Sequence, residues 1–243
     1  MTTQVPTVSL AEFSVFSGDL CNVSFKGKTL INTLNQYSFC IAKEDKEFKA
    51  SLVGSDILLA DGMAIVVASS LLRQNKIKKI AGADLHQFLL EDLNTKGGSC
   101  FYLGSSPTTL LKIEERMKMD FPNVIVKTFS PAFKPEFSIE DNEQMLAEVN
   151  AFKPDVLFVG MTAPKQEKWA HQHKDALEAK IICSIGAVFD FYAGTVERPH
   201  PFWIQLRLEW FIRLIKEPKR MWKRYLYYGP VFIKLIILEK FKK

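Results

Sequence analysis

The chain has 243 residues, of which 47% are hydrophobic and 24% charged, and its formal net charge is +5. These proportions indicate a globular protein with a sizeable core and exclude a disordered chain. The longest apolar run, residues 225–238, contains Gly229, Pro230 and Lys234 and is shorter than the roughly 20 residues that span a bilayer. Because the N-terminus also lacks the pattern of a secretory leader, the sequence predicts a cytoplasmic protein.

Short apolar or β-branched runs alternate along the chain with helical patterns. The helix over residues 106–120 begins with Ser106 as N-cap and Pro107 at its first position, and Ser138 opens a second helix over residues 139–152. This alternation predicts a Rossmann-like α/β fold, a mainly parallel sheet with helices on both faces. The predicted strands are residues 29–33, 56–60, 100–104, 124–128, 155–160 and 181–186.

The pattern changes after residue 194, where helical stretches punctuated by prolines replace the strands. We therefore predict an α/β catalytic core over residues 1–194 and an all-helical appendage over residues 195–243. Four scattered cysteines and four histidines show no ligand spacing, so no metal site is predicted and the thiols are expected to be buried.

Small and polar residues cluster where predicted strands lead into helices, at residues 32–35, 61–62, 103–106, 160–167 and 186–190. Ligands of such sheets bind beyond the carboxyl ends of the strands, and helix N-termini there favour phosphate. Each turn alone could be purely structural. There is no P-loop and no Gly-rich dinucleotide fingerprint, so the pattern argues against NTPases and NAD enzymes such as an epimerase. The candidate binding residues are Gly104, Ser105, Gly160, Thr162, Gln166, Gly186 and Asp190.

Asp61 is the candidate general base. It follows the apolar strand 57–60, and partial burial at the sheet edge would raise the pKa of its carboxyl toward that of a useful base. The alternative is that Asp61 is the N-cap of the helix over residues 62–72. Thr33 and Asn35 also follow a strand, where they could contact a sugar and orient the base or serve only as turn residues.

The C-terminal residues 207–243 carry eleven Lys or Arg against three acids, a net +8, whereas the rest of the chain sums to −3. Aromatic residues such as Trp210 and Trp222 interleave with these cations. The combination is typical of a surface that meets anionic lipid headgroups or phosphates. One alternative is that this segment is simply a solvated helix face. Another is that the protein is a non-catalytic module that binds single-stranded nucleic acid. Because the chain has no Asp-x-Asp pair to hold a metal, arginines are the groups that could neutralise a departing diphosphate.

Over nearly its whole length the chain resembles the WecG/TagA/CpsF family of bacterial glycosyltransferases. The resemblance is most specific in the C-terminal blocks. The matching segments are residues 33–35, 59–62, 82–85, 164–169, 186–194, 208–214, 217–220 and 224–225.

The resemblance implies an inverting, metal-independent transferase without a cofactor, acting in the synthesis of cell-surface polysaccharides. It would move an N-acetylmannosamine-type sugar from UDP to N-acetylglucosamine on a polyprenyl diphosphate. Asp61 falls on the family's base, with Thr33 and Asn35 beside it, and Gln166 falls in the donor-site motif. Arg213, Arg220 and Arg224 fall on arginines that reach over the active site.

The implied partners are the UDP-sugar donor, the lipid-linked acceptor and an anionic membrane surface, with no nucleic acid. The protein would then be peripheral on the inner face of the cell membrane. Thr162 stands where the family often has Gly, in the turn next to the nucleotide, so a different donor sugar is the main alternative. The polymer that is built and the oligomeric state, including a homo-oligomer, are left open by the sequence.

Overall fold

The computed structural model describes residues 5–23, 25, 27–72, 77–196, 200, 202–203 and 209–242, without the side chains of Glu209 and Arg220. A six-stranded, fully parallel sheet forms its centre, in the order β4-β3-β8-β7-β5-β6. All six predicted strands are confirmed. They are β3 (Thr29–Leu34), β4 (Ile57–Ala60), β5 (Ser99–Gly104), β6 (Ile125–Phe129), β7 (Val156–Gly160) and β8 (Ile181–Ser184).

Helices cover both faces of the sheet, because side chains along each buried strand alternate between two apolar layers. Cys100 and Tyr102 of β5 face one layer, and Phe101 and Leu103 face the other. The helices before residue 194 are α1 (Gln36–Glu44), α2 (Lys46–Val53), α3 (Met63–Leu71), α4 (Gly82–Lys96), α5 (Pro107–Asp120), α6 (Ile139–Phe152), α7 (Lys165–His173) and α8 (Gly186–Tyr192). Helices α4, α5 and α8 pack on the first layer, while α6 and α7 pack on the second.

Side-chain caps fix where several helices begin. Ser106 Oγ accepts from Thr109 N at 3.1 Å, and Ser138 forms a reciprocal capping box with Asp141, as their positions in the sequence predict. Asn35 caps α1 in the same manner, since its Oδ1 accepts from the backbone N–H groups of Tyr37 and Ser38. Each cap places a helix N-terminus at a defined point of the chain, and those of α1 and α5 lie directly after strands.

Two features near the N-terminus were not predicted. Strands β1 (Thr7–Leu10) and β2 (Phe13–Phe16) form an antiparallel hairpin whose Leu10 and Phe13 are fully buried. The sequence of these strands does mix polar and apolar residues in the order that a half-buried strand needs, but each strand is only four residues long, which is too short for the pattern to predict it.

The expectation of buried thiols is wrong for Cys21, which is exposed, and right for Cys40, Cys100 and Cys183.

The described residues after 208 form helices: α9 (Glu209–Lys216), α10 (Pro218–Trp222), a π-helical turn (Lys223–Tyr227) and α11 (Tyr228–Phe241). Helix α11 packs on α1, where the ring of Phe232 lies 5.2 Å from that of Phe39. Tyr228, Phe232 and Ile236 are buried in the same apolar cluster as Leu34 and Leu58 of the sheet. That cluster joins residues from both sides of position 194, and the division of the chain into two domains stays a prediction. Nowhere in the described ranges does a helix have the length and apolar character needed to cross a membrane.

Candidate active site

A cavity of about 1070 Å³ lies at the carboxyl edge of the sheet. Residues from the ends of β3, β4, β5, β7 and β8 line it, together with two arginines of the C-terminal helices. Every candidate residue whose side chain the structure describes lies in its wall: Thr33, Asn35, Asp61, Gly104, Ser105, Gly160, Thr162, Gln166, Gly186, Asp190, Arg213 and Arg224. The side chain of Arg220, on α10, lies outside the described part of the chain. The sequence thus predicted which residues meet, and their roles stay predictions.

Asp61 follows β4 directly and is half-buried. Its backbone N–H donates to Leu34 O at 2.9 Å, which ties it to the end of β3. The N-cap of α3 is Gly62, with φ 127°, so Asp61 stands one residue before the position that the alternative interpretation gave it. Asn35, by contrast, does serve as a helix cap. Its Oδ1 accepts the capping hydrogen bonds of α1, and the same side chain lines the cavity, as Asp61 does.

The ends of β5 and β7 approach each other closely at two glycines. Gly104 has φ 114°, and a Cβ there would collide with the carbonyl of Gly160. Ser105 N donates to that same carbonyl at 2.9 Å, and Ser130 Oγ donates to Ser105 O at 2.7 Å. Only glycine fits at position 104, because the backbone conformation and the contact both exclude a side chain. The turn therefore holds the N-terminus of α5 at the cavity wall.

Gln166 connects the loops that follow β7 and β8. Its Oε1 accepts from Met161 N at 3.2 Å and from Gly186 N at 3.0 Å, and its Nε2 donates to Glu167 Oε1 at 2.9 Å. A Cβ at Gly186 would lie 2.5 Å from that Gln166 oxygen. The side chain is therefore a clamp on both loops.

Glu167 is a cavity residue that the sequence did not single out. Its side chain is buried, and burial raises the pKa of its carboxyl to about 7, against hydrogen bonds from Gln166 and the backbone and the charge of Arg224, which lower it. Five buried side-chain atoms in the described ranges have no hydrogen-bond partner. Three of them belong to residues of this cavity: Glu167 Oε2, Ser184 Oγ and Arg213 Nε.

The two described arginines of the C-terminal helices reach the cavity over aromatic rings. The guanidinium of Arg213 lies 5.3 Å from the ring centre of Phe191, and that of Arg224 lies 4.7 Å from the ring centre of Tyr37. Aromatic faces attract a cation and hold it without neutralising its charge. Phe191 and Tyr37 both line the cavity, so the C-terminal helices contribute positive charge to the core's site.

A second cavity of about 540 Å³ adjoins the first. The two share Asn35, Tyr37, Asp61, Arg213 and Arg224. The second is lined in addition by Lys79, Trp210 and Tyr225. Asp61 thus borders both spaces, one rich in strand-end turns and the other partly walled by C-terminal aromatic residues.

The loop over residues 130–137 was also not predicted as part of the site. Phe133 is fully exposed at the mouth of the larger cavity. Lys165 fixes the end of this loop, since its Nζ donates to Lys134 O and lies 3.4 Å from the ring centre of Phe137. The signal available in the sequence was an aromatic residue, Phe133, between Pro131 and Pro135.

Among the described residues no group of three or more His, Cys, Asp or Glu is arranged to hold a metal ion.

Residues 3–243 match the glycosyl transferase WecG/TagA/CpsF family. The chain belongs to this family. Two curated relatives carry the same name, N-acetylglucosaminyldiphosphoundecaprenol N-acetyl-beta-D-mannosaminyltransferase. The one from Bacillus spizizenii is 30% identical over 185 residues, which are 76% of this chain and 70% of the relative. The one from Bacillus subtilis (strain 168) is 28% identical over 214 residues, 88% of this chain and 81% of the relative. The resemblance read from the motifs is confirmed, and this glycosyl transferase of the WecG/TagA/CpsF family has the predicted α/β fold.

Proposed function

We propose that this glycosyltransferase moves an N-acetylmannosamine-type sugar from a UDP-sugar to N-acetylglucosamine on a polyprenyl diphosphate, as a step in cell-surface polysaccharide synthesis. The observation that carries the proposal is the position of Asp61 at the junction of two cavities, with Arg213 and Arg224 bordering both. A transferase needs one space for each substrate and a base between them. The names of the two Bacillus relatives supply the sugar and the acceptor.

The larger cavity suits the donor. The turn at Gly104 and Ser105 brings the N-terminus of α5 to its wall, where backbone N–H groups and the helix dipole favour phosphate. Arg213 and Arg224 add permanent positive charge at the same cavity, which suits a diphosphate leaving group. No metal ion is assigned to this step.

The reaction would be a single displacement. Asp61 accepts the proton of the acceptor hydroxyl as its oxygen forms the new bond to the anomeric carbon of the sugar, and the bond from that carbon to UDP breaks. The arginines stabilise the charge that develops on UDP. One displacement inverts the configuration at the anomeric carbon.

The C-terminal helices suit an anionic membrane surface, which would bring the enzyme to a lipid-linked acceptor on the cytoplasmic face. Trp210, Trp222, Ile233 and Phe241 are exposed, and exposed lysines such as Lys234 accompany them. Aromatic and apolar side chains enter the interface while each nearby lysine contributes roughly 1 kcal/mol on anionic lipid.

The test is transfer from a panel of UDP-sugars to a lipid-diphosphate N-acetylglucosamine acceptor, with and without EDTA. We expect transfer from UDP-N-acetylmannosamine that survives EDTA and gives the inverted product. Transfer from another sugar alone would select the alternative donor, and binding of UDP with no transfer from any sugar would refute the proposed reaction.

Asp61→Asn tests the base. The amide cannot accept the proton, so we expect turnover to fall by at least about a hundredfold while UDP affinity stays within about twofold. Equal turnover of the variant would remove Asp61 from this role.

A further inference from the structure

Glu167 is a buried carboxyl for which the proposed reaction has no use. It lies in the first turn of α7, and only 2% of its surface is exposed. Gln166 Nε2 donates to Oε1, whereas Oε2 has no hydrogen-bond partner among the described residues. Buried charges are normally paired and fully hydrogen-bonded because burial otherwise costs stability. A carboxyl that is buried at the wall of the cavity with one oxygen unpartnered points to a role in the site.

The hydrogen bond to Glu167 orients the Gln166 clamp. Gln166 Oε1 receives two backbone N–H groups, from Met161 and Gly186, so its amide nitrogen must face the other way. Glu167 Oε1 is the acceptor on that side. A rotated amide would place its N–H₂ against two other N–H donors, and the carboxyl disfavours that arrangement.

Glu167 of the core and Arg224 of the C-terminal helices line the same cavity. Burial raises the pKa of the Glu167 carboxyl to about 7, while Arg224 acts to lower it. The lysines near Glu167 on α7 are directed elsewhere, Lys165 to the loop at Lys134 and Lys168 to two acids at the start of α2, the N-cap Asp45 and Glu47. The other charged residues that line the cavity are Asp61, Lys134, Asp190 and Arg213.

Arg224 meets the core through both its backbone and its side chain. Its carbonyl accepts from Gln36 Nε2 at 3.4 Å, and its guanidinium lies over Tyr37. Attraction from a carboxylate inside the cavity would hold this side chain over the site.

We propose that Glu167 is a positioning residue that orients the Gln166 clamp and, as a carboxylate, draws Arg224 to the cavity, so that the donor loops and the C-terminal helices are held together. The inference rests on the proposed function, because it takes the larger cavity to be the site of the UDP-sugar donor. Glu167 would act through Gln166 and Arg224 and would not touch the sugar. Because its charge changes near neutral pH, the link is stronger at pH 8 than at pH 6.

The first experiment is a double-mutant cycle with Glu167→Gln and Arg224→Met, measured as kcat/KM for UDP-N-acetylmannosamine at pH 6 and pH 8. The Glu167→Gln change keeps the size of the side chain and an oxygen that can accept from Gln166, and it removes the charge by replacing the unpartnered oxygen with an NH₂ group. We expect Glu167→Gln to lower kcat/KM by about tenfold at pH 8 and much less at pH 6, with no further loss in the Arg224→Met background. The exposed Glu143→Gln on α6 is the matched control and should change nothing.

Equal losses from Glu167→Gln in both backgrounds, or at both pH values, would overturn the proposal, since a residue that matters only for folding would give that result. Hydrogen exchange of residues 223–227 supplies a readout that needs no transfer activity. After correction for intrinsic rates, we expect local opening of these residues, which exchanges them without global unfolding, to be rarer at pH 8 than at pH 6 in the wild type and equally frequent at both in Glu167→Gln. If the wild type transfers no sugar, the proposed function fails while the exchange experiment still decides the link. Equal protection in both proteins at both pH values would refute it.

Discussion

Replacing Glu167 by glutamine should remove a loss of stability that the wild type undergoes as pH rises through neutrality. The carboxyl of an unfolded glutamate has a pKa of about 4.5, and burial raises it to about 7 in the folded protein. Between these values the folded state binds the extra proton. The stability that this proton contributes is therefore fully present below pH 4.5 and is lost as pH rises through 7.

The size of the loss follows from the two pKa values. Each pH unit between them costs about 1.4 kcal/mol, so wild-type protein at pH 8 is destabilised by about 3 kcal/mol relative to low pH. The amide of the Glu167→Gln variant does not titrate and avoids this loss. The change replaces a carboxyl that has one unpartnered oxygen by an amide of the same size, which adds an offset that does not depend on pH.

The assay is urea unfolding of both proteins at pH 5 and pH 8. We expect the variant's free energy of unfolding, relative to wild type, to be about 2–3 kcal/mol more favourable at pH 8 than at pH 5. A difference that is the same at both pH values would refute the reasoning, because it would mean that Glu167 ionises in the folded protein as it does in the unfolded chain. A variant that is more stable at pH 8 and yet less active there would show stability being given up for the site.

Three further variants test the clamp, the packing of α11 and the lipid surface. Gly186→Ala places a Cβ 2.5 Å from Gln166 Oε1 and should weaken UDP binding, measured by calorimetry, at least about tenfold. The control Gly229→Ala, with open space around it, should bind UDP as the wild type does. Equal UDP affinities of the two variants would contradict the clamp. Phe232→Ala removes a buried ring against α1 and should cost about 3–5 kcal/mol in urea unfolding, and a cost below about 1 kcal/mol would show that α11 is not part of the core. Lys234→Glu should lower binding to anionic vesicles by at least about tenfold and leave neutral vesicles unaffected, and unchanged binding would exclude this face from the surface.

The sequence was sufficient for the local parts of the fold and for placing the strand-end residues at one edge of the sheet. Buried parallel strands appear as apolar runs, and Ser106 and Ser138 mark helix starts through caps that depend on neighbouring residues alone. The carboxyl ends of parallel strands share one edge, so strand-end residues such as Asp61 and Gly160 could be placed together without knowing the strand order.

What depends on contacts between distant residues could not be predicted. The strand order places β8 between β3 and β7, which no local pattern encodes. Glu167 lies among polar residues in a helical pattern, which is typical of a solvent-exposed carboxylate. It is nevertheless buried in the fold, at the wall of the cavity. Its importance is therefore a tertiary property.

The two described arginines of the site are held in different ways, and this difference separates their expected roles. Arg213 lies over the Phe191 ring, and its Nε is buried without a hydrogen-bond partner among the described residues, so no hydrogen bond within them offsets the burial of this donor. Arg224 also lies over a ring, and its charge acts to lower the pKa of the buried Glu167 carboxyl. A phosphate binds most strongly to the cation whose charge is least neutralised by neighbouring groups, because binding then does not replace an existing attraction to another group. We therefore expect Arg213 to contribute more to binding of the leaving diphosphate, and Arg224 more to holding the C-terminal helices against the core.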